Sequence, residues 1–352
     1  MHNLDDLAYV YGKPLSTGDL RSRPEDFKVT ELLPFSASGE GEHLLVNLRK
    51  TGANTVYVAK QLAKYFKVKP HMVTYAGLKD RNAVTEQFFG VHVPGKKQYD
   101  LSDFDCEGVE VLSWQRHNKK LKTGALLGNH FEITLRNVTD IEAIQQRWQK
   151  ITATGVANYF GEQRFGIDGN NLNGAKQLFA GKRIHDRNKR GFYLSAARSH
   201  VFNQMLDARI KNGHFSNPID GDVFMLSGSR SVFHCDKIDD QIIQRLAEQD
   251  IAATLPLWGE GELMSSDQAK QFELAIAEQL SDYCDGLEKF ALKQERRAIS
   301  LYVQAAKMTV DGDNATVSFV LPSGCFATTV LRELLDYTDI SVKERENEHS
   351  DK

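Results

Sequence analysis

The segment Tyr75-Ala-Gly-Leu-Lys-Asp-Arg-Asn-Ala-Val-Thr85 sets one carboxylate, Asp80, directly between two cations, Lys79 and Arg81. Neighbouring positive charge favours the ionised form of a carboxyl group, so Asp80 is expected to be an anion. Such a group can attack carbon, or it can be locked in a permanent ion pair within an ordinary charged turn; the residues alone leave both open. A second segment, Gly128-Asn-His-Phe131, opens an alternating strand on which Asn129 and Phe131 share parity, and so one side of a sheet. A carboxamide can read the edge of a nucleobase and an aromatic ring can stack on its face. A turn asparagine followed by a core phenylalanine has the same pattern.

Two further segments combine glycine with aromatic and cationic residues. Gly155-Val-Ala-Asn-Tyr-Phe-Gly-Glu-Gln-Arg-Phe-Gly166 leads into Arg187-Asn-Lys-Arg190, an interleaving that suits a single-stranded nucleic acid surface and equally suits packing at a domain hinge. Leu321-Pro-Ser-Gly-Cys-Phe-Ala-Thr-Thr329 is a turn entering a helix, where backbone amides can face a phosphate. Phe326 in that turn can cover a base or anchor a core.

Other chemistries lack their residues. There is no GxxxxGK[ST] loop, no GxSxG elbow and no Rossmann glycine fingerprint. Gly39-Glu-Gly41 has two of the glycines, but its acidic neighbours would repel a phosphate. The four cysteines form no CxxC pair and the eleven histidines no HExxH, which argues against a disulfide framework and a metal centre and for the cytoplasm. No apolar run is long enough to span a membrane, and the acidic first twenty residues do not read as a signal peptide.

The net charge of −3 conceals an asymmetry. Residues 236–286 hold twelve Asp or Glu against three Lys or Arg, a local balance of −9, which leaves +6 on the rest of the chain. Arg116 to Lys122 (RHNKKLK) and Lys182 to Arg190 (KRIHDRNKR) concentrate that positive charge, as solvated loops or as contacts for a polyanion.

These segments need elements to carry them. Period-two patterns predict strands over Phe27–Leu33, His43–Lys50, Gln87–Val93, Val109–Trp114 and His130–Val138. A helix is expected from Asn54 to Phe66, capped by Asn54, with Val56, Ala59, Ala63 and Phe66 on one face. Thr139-Asp-Ile-Glu142 reads as a capping box before a helix that turns Ile144, Trp148 and Ile151 inward. Helices are expected over Ser195–Asn212, stopped by Gly213, and over Ser266–Tyr283. Strands return over Leu301–Val310 and Thr316–Leu321 across an Asp311-Gly312 turn, before a closing helix over Phe326–Tyr337. Strand-rich, helix-rich, strand-rich order in 352 residues predicts an α+β core with a largely antiparallel sheet, interrupted by a second domain between hinges near 155 and 300.

In order along the chain, Arg23-Pro-Glu-Asp-Phe27 with Glu31, Gly41-Glu-His43, Gly77-Leu-Lys-Asp-Arg81, Gly128-Asn-His-Phe131, Asn158 to Gly166, Arg187-Asn-Lys-Arg190, Ser195-Ala-Ala-Arg198 and Leu321-Pro-Ser-Gly324 with Phe326 resemble the TruD family of tRNA pseudouridine synthases. The resemblance runs from about Gly18 to Leu335. It implies a pseudouridine synthase fold over 1–154 and 304–340, an inserted α/β TRUD domain over 155–303, a polar tail over 341–352, and an RNA-binding cleft between the domains. It further implies conversion of uridine to pseudouridine in tRNA, at position 13 of the D-arm in bacterial members, by a cytoplasmic monomer without metal or cofactor.

Carried over by motif, Asp80 is the catalytic aspartate, and Phe27, Asn129 and Phe326 contact the target nucleotide with Phe131 close by. Arg21, Lys79, Arg81, Arg164, Arg187, Lys189 and Arg190 supply phosphate contacts or electrostatic support. Arg21 departs from the lysine expected in bacterial relatives, and a guanidinium fork donates differently from an ammonium. In this scheme a uridine is flipped out, stacked on phenylalanine and attacked by Asp80, through either a covalent bond or removal of a ribose proton. A fold-retaining tRNA-binding or chaperone protein without catalysis is the main competing class. An aspartyl-phosphate enzyme lacks its DxDx[TV] pattern around Asp80.

Overall fold

The computed structural model describes residues 4–95, 97–166 and 169–342, so the polar tail expected over 341–352 lies almost entirely outside the described residues. The first half of the chain contains strands β1 (Thr17–Leu20), β2 (Phe27–Leu32), β3 (His43–Thr51), helix α1 (Thr55–Tyr65), β4 (Val73–Tyr75), β5 (Val84–His92), β6 (Val109–His117), β7 (Gly128–Leu135) and α2 (Ile141–Thr154). Next come β8 (Val156–Ala157), α3 (Asn170–Phe179), α4 (Arg187–Lys211), β9 (Val223–Leu226), β10 (Val232–His234), α5 (Asp240–Ala247) and β11 (Ile251–Leu257). The chain ends through α6 (Asp267–Gln279), α7 (Ser281–Lys289), β12 (Glu295–Ala298), β13 (Ser300–Leu301), β14 (Gln304–Asp311), β15 (Asn314–Pro322), α8 (Ala327–Leu334) and β16 (Asp336–Asp339).

Two units emerge. The sheet unit comprises Leu15–Trp148, Val303–Gly324 and Leu335–Lys352; the helical unit comprises Met1–Pro14, Gln149–Tyr302 and Cys325–Leu334. In the sheet unit, eight strands form one mixed sheet in the order β14-β15-β7-β2-β5-β3-β6, with β4 on β5. Its pairings are antiparallel except β2 with β5. The first and last strands, β1 and β16, pair in parallel and bring Leu20 opposite Asp339.

One face of this sheet is covered by α1. Leu44, Val46, Leu48, Phe89 and Val91 meet Val58, Ala59, Leu62, Ala63 and Phe66. Each fully buried aliphatic side chain here contributes about 1.5–3 kcal/mol. Asn54 caps α1 as expected, accepting from Val56 N. The buried stripe is Thr55, Val58, Ala59, Leu62 and Ala63, whereas Val56 is 41% exposed. Ala59, Ala63 and Phe66 of the expected face are buried as expected; only Val56 misses, its place in the core being taken by Val58 and Leu62.

Other expectations are corrected by competition for the same groups. The Thr139 hydroxyl accepts from Thr17 N, so the cap of α2 falls to Asp140, which accepts from Ala143 N. Ile144, Trp148 and Ile151 are buried as expected. Helix α4 starts at Arg187 rather than Ser195, because Asp186 accepts from Asn188 N and Lys189 N. The helix expected over Ser266–Tyr283 breaks at Leu280 into α6 and α7, and α7 runs on to Lys289 with Gly286 flat against the Phe179 ring, where a Cβ would lie 2.3 Å from carbon. The closing helix stops at Leu334, and Asp336–Asp339 is a strand because β1 offers it an edge.

The helical unit wraps a core of Tyr159, Phe160, Phe165, Phe202, Met205, Phe224 and Leu255 around α4, with a four-stranded sheet in the order β10-β9-β11-β12. No helix among the described residues is long and apolar enough to cross a membrane.

Candidate active site

Along the covered face of the large sheet, polar side chains occupy inward positions on otherwise apolar strands. Phe27, Val29 and Glu31 alternate inward on β2, Leu44, Val46, Leu48 and Lys50 on β3, and Thr85, Gln87 and Phe89 on β5. The register aligns Phe319, Phe131, Val29, Thr85 and Lys50 in one row across β15, β7, β2, β5 and β3. Leu321, Asn129 and Glu31 lie side by side in the next row.

These side chains tie down the loop joining β4 to β5. Gln87 Nε2 donates to Gly77 O at 2.6 Å, and Lys79 N donates to the Thr55 hydroxyl at 3.1 Å, which itself donates to Gln87. Lys50 Nζ donates to Ala53 O and Asp80 O at 3.0 Å each and to Lys79 O at 3.5 Å. Arg81 Nε donates to Gly52 O. Lys79 Nζ reaches Glu31 at 2.6 Å, and the second oxygen of Glu31 accepts from Phe88 N between the stretches of β5 paired with β2 and with β4. Buried backbone groups demand partners, and here side chains from α1, β2, β3 and β5 supply them.

The result is a fixed loop that presents Asp80 with its side chain 39% exposed. Lys79 and Arg81, its neighbours in sequence, are directed to Glu31 and Gly52; the fully buried Glu31 carboxylate has the stronger claim on an ammonium. Arg21 comes instead from across the unit, with NH2 3.6 Å from Asp80 Oδ2 and NH1 2.9 Å from Asp339 Oδ2. Its backbone is left-handed (φ 55°), and its guanidinium lies 4.4 Å over the Phe27 ring.

Phe27 is 2% exposed and meets Phe131 edge-on, while Phe131 stacks on Phe319. Asn129 is half-buried, and its Oδ1 has no hydrogen-bond partner among the described residues. Burial pushes the Lys50 ammonium down to about 8, with Asp80 and Glu31 opposing that drop and Lys79 adding to it.

Phe326, Arg164, Arg187, Lys189 and Arg190 belong to the helical unit. Phe326 packs closely on Gly161, where a Cβ would come within 3.2 Å of its ring. Arg164 donates to the Ser195 hydroxyl and lies 5.4 Å from the Phe160 ring centre, and burial lowers its pKa. Arg187 and Lys189 stand exposed in the first turn of α4, with Arg190 half-buried beside them. The aromatics of the Asn158–Gly166 segment are core: Tyr159 is 0% exposed, Phe160 7% and Phe165 4%. They pack within the helical unit and present no ring face to an outside base. Arg297, which sequence reasoning missed, donates to both Asn158 O and Oδ1 and lies over Phe160 at 4.0 Å.

Sequence reasoning also missed Lys50, Thr55, Gln87 and Asp339. For Lys50 a signal existed: it continues the inward parity of Leu44, Val46 and Leu48, where a lysine needs an explanation. Asp339 gave no such signal, since its role depends on the pairing of β1 with β16.

A profile of the family tRNA pseudouridine synthase D (TruD) matches residues 3–185 and 170–334. A protein of Colwellia psychrerythraea named tRNA pseudouridine synthase D is 55% identical over 350 residues, covering 97% of this chain and 95% of that one. Its namesake from Shewanella oneidensis is 50% identical over 337 residues, covering 96% and 91%. A TruD crystal structure from Methanosarcina mazei, 22% identical, superposes with a TM-score of 0.72 over 96% of this chain and 99% of that one, which shows the same mixed α+β fold. With the profile and both relatives spanning nearly its full length, the chain belongs to the TruD family.

Proposed function

We propose that this protein isomerises uridine to pseudouridine in tRNA and that Asp80 supplies the reacting carboxylate. The observation that carries the reading is a carboxylate side chain, 39% exposed and 3.6 Å from Arg21, on a loop whose backbone is tied to the sheet and to α1. In the reaction the N1–C1′ bond breaks, the uracil turns, C5 bonds to C1′, and the proton leaving C5 is balanced by one gained at N1. The reaction is therefore redox-neutral and loses no atoms. Asp80 acts as nucleophile in a covalent adduct or takes a ribose proton to give a glycal.

The target uridine, at position 13 of the D-arm by family resemblance, leaves its stack at a cost of a few kcal/mol. Asn129 Oδ1, a buried acceptor lacking a donor, suits the uracil N3–H. Phe27 and Phe131 back that position, and Phe27 carries Arg21 beside Asp80. Lys79 and Arg81 act by fixing the loop. Residues 1–154 and 304–340 are assigned to the catalytic domain and 155–303 to the inserted domain. In the latter Arg164, Arg187, Lys189 and Arg190 are tRNA contacts, while Phe326, from the 304–340 segment, contacts the target nucleotide. The protein acts as a cytoplasmic monomer.

The test is Asp80→Asn, which keeps shape and removes charge, followed by mapping of pseudouridine in tRNA incubated with each protein. Isomerisation by the variant at a comparable rate removes Asp80 from the mechanism. A wild-type protein that binds tRNA tightly and leaves every uridine unchanged supports the non-catalytic alternative.

A further inference from the structure

Lys50 is 1% exposed, a depth at which lysine is rare unless its charge is engaged. An ammonium has three protons to donate. Lys50 directs Nζ to three carbonyl oxygens, those of Ala53, Lys79 and Asp80. Ala53 immediately precedes Asn54, the cap of α1, while the other two carbonyls belong to the loop that presents Asp80. One cation thus joins the entrance of α1, the end of β3 and the backbone of the candidate nucleophile. Its surroundings hold charges of both signs, Asp80 and Lys79 from the loop and Glu31 from β2.

Taking Asp80 as the reacting group, we propose that Lys50 is its positioning residue: the protonated side chain fixes the Asp80 backbone, and with it the carboxylate, in the reactive geometry. Lys50 touches neither substrate nor reacting atoms. It works through the Asp80 carbonyl and by placing a positive charge behind an anion. Small displacements of a reacting group are costly, since near-attack geometry holds atoms within about 3–3.5 Å. A neutral amine keeps only two protons to donate and loses the charge. Because burial among these groups places the Lys50 pKa at about 8, the loss begins in a measurable range.

The experiment is single-turnover pseudouridine formation on tRNA, from about pH 6 to about pH 10, with wild type, Lys50→Met and Lys50→Arg, alongside tRNA affinity. Lys50→Met should lower the rate constant on the order of 100-fold while changing tRNA affinity by less than about twofold. The wild-type rate should fall above pH 8, and Lys50→Arg, whose charge persists, should restore part of the rate and lack that limb. Three results overturn the proposal: a Lys50→Met rate within about threefold of wild type, equal losses of rate and affinity, or an alkaline limb shared by Lys50→Arg. If a variant fails to fold, the wild-type profile decides, because a rate level from about pH 6 to about pH 10 is incompatible with a required ammonium whose pKa lies at about 8. An inactive Asp80→Asn beside an unaffected Lys50→Met removes Lys50 alone, whereas an active Asp80→Asn removes the reading beneath it.

Discussion

Arg209 and Asp222, in the helical unit, are 1% and 0% exposed and meet as a closed fork, with NH1 2.8 Å from Oδ1 and NH2 on Oδ2. Asp222 also accepts from Ile219 N, and Arg209 Nε donates to His214 O. In the sheet unit Lys50 is buried as deeply, but its partners are carbonyls, and the residue it holds keeps a carboxylate 39% exposed. The first arrangement satisfies each charge with its opposite and leaves nothing for a ligand. The second spends a buried cation on backbone geometry and leaves an anion accessible. Buried charge by itself therefore does not mark a functional site; what matters is whether the carboxylate in its neighbourhood stays accessible to a ligand.

The largest separation between the two regions should come from Asp80→Asn. It is expected to reduce single-turnover isomerisation by at least about 1,000-fold while leaving the thermal midpoint within about 2 °C. A large loss of stability would place Asp80 with the closed pairs. Asp222→Ala should do the reverse. Stranding Arg209 costs about 3–5 kcal/mol, and calorimetry should show a midpoint lower by roughly 10 °C. Turnover per folded molecule should be unchanged, and a selective loss of turnover would erase the distinction drawn here.

A third outcome concerns pH. The folded-state pKa of Lys50, about 8, lies below its ordinary 10.5, so between these values the unfolded chain binds more protons than the native one. The cost of burying the charge is fully present below pH 8 and is relieved as pH rises towards 10.5. Denaturant midpoints of wild type relative to Lys50→Met should therefore rise across that window, by up to about 3 kcal/mol. This sign is opposite to that expected for activity, which falls above pH 8. Stability and rate moving together would indicate a merely structural lysine.

The smallest effect belongs to the exposed cations of the β6–β7 connection. Arg116 is committed to the carbonyls of Gly41 and Val93, leaving Lys119, Lys120 and Lys122 towards solvent. Reversing Lys119 and Lys120 to glutamate should weaken tRNA binding and lower the slope of log affinity against log salt by about 2. An unchanged slope would make this run a solvated turn.

Local chemistry was legible along the chain where one element decides the outcome. The Asn54 cap, the inward face Ile144-Trp148-Ile151, the Gly213 stop and the Asp311-Gly312 turn follow from hydrogen bonds and periodicity within a few residues. Where two groups compete for one partner, short-range reading failed: Thr17 took the Thr139 hydroxyl, and β1 drew Asp336–Asp339 out of the last helix. The motif around Asp80 set the carboxylate between two cations, and in the fold Lys79 pairs with Glu31 while Arg81 donates to Gly52 O.

Sequence by itself determined that an aspartate flanked by two cations stands in a turn before a strand, and that an asparagine and several phenylalanines stand on alternating strands, because side-chain parity and turn chemistry are properties of adjacent residues. Only the tertiary structure decided that Arg21 reaches both Asp80 and Asp339 and that Lys50 and Gln87 hold the Asp80 loop. The reason is register: which residues lie opposite one another is set by strand pairing across tens to hundreds of positions, and shifting that pairing by a single residue would turn every inward side chain outward.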